Sequence, residues 1–595
     1  MSNACQKVNS PHQTIVKIKM LRSATLMTPK QHWPLSSQGR IKVFGHRIKI
    51  SSKSIPLTTN KGSLDVLCNH ICWVETVVNY RIIARYLGVV ALMLAASTLV
   101  SVPWALPSLN GADSVESRSI QSLFLTMAGS SFVGLGLHFW GRKATGRLYR
   151  REALAVVGLS WCFASVIGAM PYWLSGTCKG PAIEGASARG EPMTITDAVF
   201  ESASGFSGTG ATVITDLEDS DLVPRAILFW RSQTHFLGGL GIMVLFVALL
   251  GQGSEGKAVM RAEVPGPHEE MAHARVQHAA LAFTGVYVGL NVILTILLLL
   301  EGMSLFDAMC HSFGTIATGG FSTYNSSVAH FESVAIEMTI TLFMAISCVN
   351  FTLLFSVVVL QPQKLYRDVE VRTYVGILVL STLAVVLFGL GHGDFSNVPE
   401  ALRYSLFQVT SILTNTGFGT HDFDEWNEFA RGLLFLLMFV GGCAGSTSCS
   451  IKVIRHILFW KVLSREVEKS YRPTVVRPLR IGSDTVGNEV GNHVLFYFGL
   501  IAFTFVSSWV GLLLIEPDAG WTGAGLSIHE KFIDCATGVA ATLNGVGPGL
   551  GTIGATKNYA HFQPASKLLL SALMLLGRLE MIPLIVLFMP RFWRG

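Results

Sequence analysis

Charge is what this sequence has little of. Of its 595 residues only 14% are Asp, Glu, Lys or Arg, while half are hydrophobic; a soluble protein carries roughly 25% charged residues. The deficit is local. Many stretches of about 20 residues hold no charge, the length that crosses a hydrocarbon core, which excludes an ordinary soluble protein. Catalytic signatures are lacking too: there is no nucleotide-binding loop, no H-E-x-x-H and no G-x-S-x-G, so an enzyme is not expected. The ten cysteines are scattered, and some, such as Cys162 and Cys348, fall in apolar runs. They read as small buried hydrophobes rather than a disulfide framework. Cys68 and Cys72 flank His70, but no second ligand pair follows to complete a zinc site. The first 80 residues contain no apolar run with a small-residue cleavage site, so no signal peptide is expected.

What is present is a series of apolar spans. They run over about 83–106, 120–140, 152–174, 225–250, 278–301, 334–360, 373–393, 430–460, 493–515 and 566–589, which predicts an all-α polytopic membrane protein of about ten transmembrane helices. Before them, residues 1–80 hold eleven Lys/Arg against Asp65 and Glu75 and read as a disordered basic extension. The net charge of +7 is not a nucleic-acid signal, because the basic residues sit in short loops beside the spans. Arg142, Lys143, Arg147, Arg150 and Arg151 form one such loop, and Lys364, Arg367 and Arg372 another. The alternate connections are acidic, with Asp216, Glu218, Asp219 and Asp221 in one and Asp422, Asp424, Glu425 and Glu428 in another. The positive-inside rule then puts both termini in the cytoplasm.

The acidic outer connections are too long for simple turns, and four of them align without gaps: ESASGFSGTGAT (201–212), HSFGTIATGGFS (311–322), QVTSILTNTGFG (408–419) and GVAATLNGVGPG (538–549). In this register Gly210, Gly320, Gly417 and Gly547 are equivalent, 110, 97 and 130 residues apart. Each period therefore holds a helix, a re-entrant segment and a second helix. Asp197 and Asp307 stand thirteen residues before their glycines, where they are expected to cap short helices. A short helix dipping into the membrane aims its negative C-terminal end at the centre. The glycine stretch after it can then turn carbonyls inward to replace the hydration shell of an alkali cation. No carboxylate occurs in 207–212, 317–322, 414–419 or 544–549, as a calcium or proton path would favour. The competing reading is that these glycines only allow close helix packing.

Residues 82–595 resemble the TrkH-type subunits of bacterial Trk potassium uptake systems, in the Trk/Ktr/HKT superfamily. The resemblance rests on SASGFSGTGATVI (202–214), HSFGTIATGGFST (311–323), TNTGFGTHDF (414–423), GGCAGSTSCSIKVIR (441–455), LNGVGPGLG (543–551) and GRLEMIPLIVLFMPRFWR (577–594). It implies a leading two-helix hairpin (81–150) and four helix–pore-loop–helix units (151–255, 256–362, 363–470 and 471–595) around one pore. It further implies a homodimer in the bacterial cytoplasmic (inner) membrane, K⁺ as the transported ion, and a cytoplasmic TrkA-type nucleotide-binding ring as regulator. Carried over, the K⁺ filter comprises Gly208, Thr209 and Gly210; Thr318, Gly319 and Gly320; Asn415, Thr416 and Gly417; and Gly545, Val546 and Gly547. Glycine at the first-loop position goes with K⁺ in the superfamily, serine with Na⁺. A Na⁺-permeable or Na⁺-coupled K⁺ transporter is the alternative, and a non-transporting scaffold a remote one. The small residues of 441–450, among them Gly441, Gly442, Gly445, Ser446 and Thr447, interrupt the eighth span. In the family this region is a loop that obstructs the pore, and here Ser448, Cys449 and Ser450 stand where glycines are usual. Arg578 matches a pore-facing arginine that helps control passage; its other readings are snorkelling or a structural pair with Glu580, although side chains two apart do not face each other on a helix. Arg231 and His235, one helical turn apart, are either coupling groups or partners of buried carbonyls.

Overall fold

The computed structural model describes residues 40–43, 46–49, 78–107, 116–144, 149–180, 190–241, 276–474, 478–482, 484–518, 521 and 528–594. The chain divides into two units, residues 1–78 with 593–595 and residues 79–592. In the first unit Arg40–Val43 (β1) pairs antiparallel with His46–Lys49 (β2), Arg40 opposite Lys49. Residues 1–39, 44–45 and 50–77 of the basic extension, with the Cys68–His70–Cys72 pattern, lie outside the described residues.

The second unit is helical. Tyr80–Thr98 (α1) starts at Asn79, whose side chain accepts from the amides of Arg81 and Ile82. It packs against Ser117–Gly141 (α2). The crossing is close because it is made of glycines: a Cβ on Gly88 would meet the Gly134 and His138 backbone, and one on Gly134 the Gly88 carbonyl, the small-residue contact that membrane helices favour. Outward-facing apolar side chains such as Phe132 (81% exposed) and Leu514 (81% exposed) incur no penalty against lipid.

Four units follow. The first is Arg150–Ser175 (α3), Ile195–Ser207 (α4) and Arg225–Leu240 (α5). The second is Val276–Leu300 (α6), Leu305–Ile316 (α7), Val334–Ser347 (α8) and Phe351–Val358 (α9). The third is Val369–His392 (α10), Val398–Leu413 (α11), Glu428–Leu437 (α12) and Val453–Tyr471 (α13). A hairpin of Leu479–Ile481 (β3) with Asp484–Val486 (β4) leads to the fourth: Asn488–Ile515 (α14), Ile528–Asn544 (α15), Pro564–Arg578 (α16) and Ile582–Leu587 (α17).

Among the described residues six helices are uninterrupted and apolar over a membrane length: Tyr80–Ala105, Ser117–Gly141, Arg151–Ser175, Ala280–Leu300, Val369–His392 and Glu489–Ile515. They are the first, second, third, fifth, seventh and ninth expected spans. The other four, each the last span of its unit, are not single helices. The fourth ends at Leu240, with Gly241 at φ 77°; residues 242–250 lie outside the described residues. The sixth bends by 107° between α8 and α9. There the Cys443 amide takes the Cys348 carbonyl (2.8 Å) and Asn350 caps a new helix through the Thr352 amide (2.8 Å). Groups that an unbroken helix would pair internally are thus used by another segment. The eighth gives way at 438–452, as its small residues suggest, and the tenth at Leu579–Met581, where Glu580 and Met581 take φ 52° and 66°.

Candidate functional site

Each unit places one helix of 12–17 residues, α4, α7, α11 or α15, directly before its aligned glycine segment. Thr194 caps α4: its hydroxyl accepts from the Asp197 amide (3.3 Å), and Asp197 accepts from the Thr194 amide (3.0 Å), a capping box. Ser304 caps α7 through the Asp307 amide (3.1 Å) and Asn397 caps α11 through the Glu400 amide (2.9 Å). The caps are therefore Thr194 and Ser304. Asp197 and Asp307 stand at the third helical position, because a hydroxyl three residues earlier reaches the free amides first. Asp307 also accepts from Thr323 (2.8 Å), tying the start of α7 to the chain beyond its glycines. Asp534, thirteen residues before Gly547, does the same: it accepts from the Thr552 amide (3.1 Å) and the Trp521 indole (3.0 Å). Its only signal in the sequence is the repeat register, which sets an aspartate thirteen residues before a third ring glycine.

Past the short helices the four aligned segments meet. Each has two positive φ values, at Gly208 and Gly210 (71°, 82°), Thr318 and Gly320 (54°, 75°), Asn415 and Gly417 (59°, 82°), and Gly545 and Gly547 (68°, 96°). Thr209, Gly319, Thr416 and Val546 between them do not. An ordinary strand alternates its carbonyls; alternating the sign of φ turns successive ones to the same side. The segments close on one another in order. A Cβ on Gly210 would collide with the Gly319 carbonyl oxygen, one on Gly320 with that of Thr416, one on Gly417 with that of Val546, and one on Gly547 with that of Thr209. All twelve residues expected to form the filter are brought together, with one carbonyl per segment at one level and no room for a side chain between neighbours.

Polar side chains nine residues before the ring glycines hold it from behind. Glu201 accepts from the Val213 amide (3.0 Å) and the Thr212 hydroxyl (2.9 Å), His311 pairs with Ser322 (3.0 Å), and Gln408 donates to the His421 carbonyl (2.9 Å). Tyr559 donates to the Gly547 carbonyl (2.8 Å) and its amide to that of Thr212 (2.8 Å), joining the fourth segment to the first. Arg231 and His235 belong to the same frame. Arg231 Nε donates to Glu201 (2.6 Å), its Nη1 to the Ser322 carbonyl (3.0 Å), and its guanidinium lies 3.5 Å from the Phe321 ring centre. His235 accepts from the Phe321 amide at Nε2 (3.2 Å), so its Nδ1 donates to the Gly205 carbonyl (2.7 Å). Of the two sequence readings, the geometry matches partnering of buried groups. In the connections beyond the ring segments, the Asn325 side-chain amide holds the Asp216 carboxyl below its ordinary value, while burial pushes that of Asp424 up.

Beneath the ring runs the segment between α12 and α13, pinched by a parallel bridge of Val440 with Ile451. It carries Gly441, Gly442, Gly445, Ser446 and Thr447. Thr447 shares its hydroxyl between the carbonyls of Ile316 (3.0 Å) and Ser347 (3.2 Å), Ser450 between the Met438 carbonyl and Asn544 Oδ1 (both 3.0 Å), and the Cys449 thiol points at the Ser207 carbonyl (3.5 Å). The loop thus lies against the C-terminal ends of α4, α7 and α15. Arg578, at the end of α16, donates to the carbonyls of Thr447 (2.5 Å), Gly238 (2.6 Å) and Gly239 (3.2 Å). Glu580 is not its partner; it pairs with Arg455, because the break after Arg578 turns the two side chains apart. A cavity of about 70 Å³ opens above the ring, its floor including all four ring glycines. Another of about 90 Å³ lies below the loop, lined by Trp161, Tyr287, Phe351 and Arg578.

Comparison with known proteins fits this arrangement. The family model of the TrkH cation transport proteins matches residues 119–594. The Trk system potassium uptake protein TrkH of Escherichia coli (strain K12) is 34% identical over 519 residues, 87% of this chain and 100% of the relative. Its counterpart in Halomonas elongata is 35% identical over 525 residues, 86% of this chain and 99% of the relative. The crystal structure of the potassium transporter TrkH from Vibrio parahaemolyticus superposes with a TM-score of 0.72 at 32% identity, covering 87% of this chain and 100% of that one.

Proposed function

This chain belongs to the TrkH family of cation transport proteins, and from that premise we propose that it is the membrane subunit of a bacterial potassium uptake system. K⁺ enters the outer cavity, sheds water against the carbonyls of residues 208–210, 318–320, 415–417 and 545–547, and leaves past Arg578 when the loop of 441–450 moves aside. The observation that carries this reading is the closed ring of glycines and neighbouring carbonyls, with no carboxylate in its four segments. Carbonyl dipoles suit a dehydrated monovalent cation, and the C-terminal ends of four short helices add negative potential beneath them. The membrane potential drives entry at about 2.3 kcal/mol per charge per 100 mV, roughly fifty-fold accumulation at 1.4 kcal/mol per decade. Residence in the bacterial inner membrane, a homodimer and control by a cytoplasmic nucleotide-binding ring are proposed on family membership.

Purified protein in liposomes, loaded against K⁺, Rb⁺ or Na⁺ gradients, is expected to pass K⁺ and Rb⁺ in preference to Na⁺. Equal passage of Na⁺ would favour the Na⁺-permeable alternative, and no passage of any of the three would remove the reading. A second measurement addresses the loop. Arg578→Gln removes charged donors to Thr447, Gly238 and Gly239; hydrogen bonds from charged groups contribute about 1.5–3 kcal/mol each. Losing even one should shift the loop toward its displaced position, raising K⁺ flux by about tenfold. Unchanged flux with normal folding would separate Arg578 from gating.

A further inference from the structure

The outer cavity has a wall that its floor does not predict. Around the four ring glycines its lining includes Thr212, Thr215, Tyr324, Asn325, Asn558 and Tyr559, and two cations, Arg231 and Lys557, but among the described residues no carboxylate. For a cation entrance this is the wrong sign. Arg231 is neutralised, since Glu201 holds it at 2.6 Å and both are buried. Lys557 is not matched in this way. Its Nζ donates to the Gly551 carbonyl (2.8 Å), and the carboxylate facing it, Asp424, stands 3.8 Å away. Asp424 instead accepts the Gly551 amide at 3.1 Å through both oxygens, and the nearby Arg431, 3.8 Å from it, pairs more closely with Glu428 (2.9 Å). Lys557 therefore reaches the wall with no carboxylate in hydrogen-bond range, its side chain still 45% exposed. Further carboxylates stand behind the lining. Asp216 and Glu218 bind Asn325, accepting from its side-chain and backbone nitrogens at 2.8 and 3.0 Å. The mouth thus has acids behind the wall and a lysine in it.

We infer that Lys557 is a specificity-determining residue of the pore entrance: a fixed positive charge that lowers the occupancy of the outer mouth by cations, and lowers it more steeply for divalent than for monovalent ions. The inference rests on the transport reading above and deepens it. The physical basis is that the energy of an ion in the field of a fixed charge scales with the ion's valence. If Lys557 reduces K⁺ occupancy by a factor f, it reduces that of a divalent cation by f squared. Such an entrance discriminates against Mg²⁺, Ca²⁺ and Ba²⁺ before they reach the carbonyls, which have no charged side chain of their own to do so. The field acts through a water-filled mouth, so f is modest, about two- to fivefold, and shrinks as salt shortens the Debye length from about 10 Å at 0.1 M to about 3 Å at 1 M.

The test uses the full chain in liposomes whose K⁺ influx has been established, with ionic strength set by an impermeant organic salt. Lys557→Gln removes one charge and should lower KM for external K⁺ by f; Lys557→Glu reverses the charge and should lower it by about f squared; Lys557→Arg keeps the charge and should leave it unchanged. External Ba²⁺, the divalent probe, should inhibit K⁺ influx at a concentration lower by f squared in Lys557→Gln. The differences should fade at high ionic strength while the maximal rate stays within about twofold. A purely structural role through the Gly551 contact predicts something else: Gln and Glu alike, with no order by charge and no dependence on valence. That pattern, or an Arg variant behaving like Gln, overturns the inference while wild-type transport leaves the family reading intact.

Discussion

Gly210→Ala is expected to lower K⁺ influx by at least about tenfold, while Gly208→Ala, two residues earlier in the same segment, keeps most of it. Both glycines sit at positive φ, 71° for Gly208 and 82° for Gly210, so alanine at either carries the left-handed cost of about 1–2 kcal/mol. What differs is the neighbour. A Cβ at Gly208 meets nothing nearer than the Ala317 carbonyl at 3.4 Å, an ordinary contact; one at Gly210 collides with the Gly319 carbonyl oxygen. That oxygen belongs to the ring, and the four segments close on each other in turn. Its displacement therefore spreads to the seats of Thr416, Val546 and Thr209. Serine at 210, the residue that goes with Na⁺ preference in the superfamily, adds a hydroxyl to the same collision and is expected to lower the K⁺/Na⁺ influx ratio as well. Paired K⁺ and Na⁺ influx in liposomes, with gel filtration as a check on folding, reads both. Equal losses at 208 and 210 would mean that the ring geometry does not govern passage.

Why that ring and the interruption at 441–450 could be read from sequence, and the breaks in the sixth and tenth spans could not, is a matter of where each constraint acts. A backbone at positive φ with a neighbour against its Cα admits only glycine, so the constraint is written at one position, and four copies in one register made it visible. The bend at Cys348–Asn350 has no such signature. It contains neither glycine nor proline, and it exists because the Cys443 amide, almost a hundred residues on, takes the Cys348 carbonyl. Glu580 and Met581 likewise adopt positive φ without glycine, in a turn where Glu580 meets Arg455 of another unit. Glu201, His311 and Gln408 show a third kind of opacity. They share a register position and the task of holding the chain beyond the glycines, but an acid, an imidazole and an amide look unrelated in an alignment. Asp534 could have been read, being the third aspartate at minus thirteen.

The largest effect on stability is expected at Arg231. With Arg231→Met the Glu201 carboxylate, fully buried, keeps the Thr212 hydroxyl and Val213 amide but loses its counter-charge; breaking a buried pair from one side costs about 3–5 kcal/mol. The detergent-purified variant should therefore melt about 5–10 °C lower, by the scaling for domains of a few hundred residues. Adding Glu201→Gln should recover a substantial part of that loss, because the uncompensated charge goes with it. If the double variant is no more stable than Arg231→Met, the pair is not what holds this region. Function should separate from stability in the same pair of proteins. Arg231 also donates to the Ser322 carbonyl and covers the Phe321 ring, and His235 accepts the Phe321 amide. Thus α5 of the first unit fixes the position of the second segment against the first, where Gly210 abuts Gly319. A double variant that folds has lost one of those two holds. It is expected to carry K⁺ with a reduced K⁺/Na⁺ ratio, because selectivity depends on how firmly the neighbouring carbonyl is kept in place.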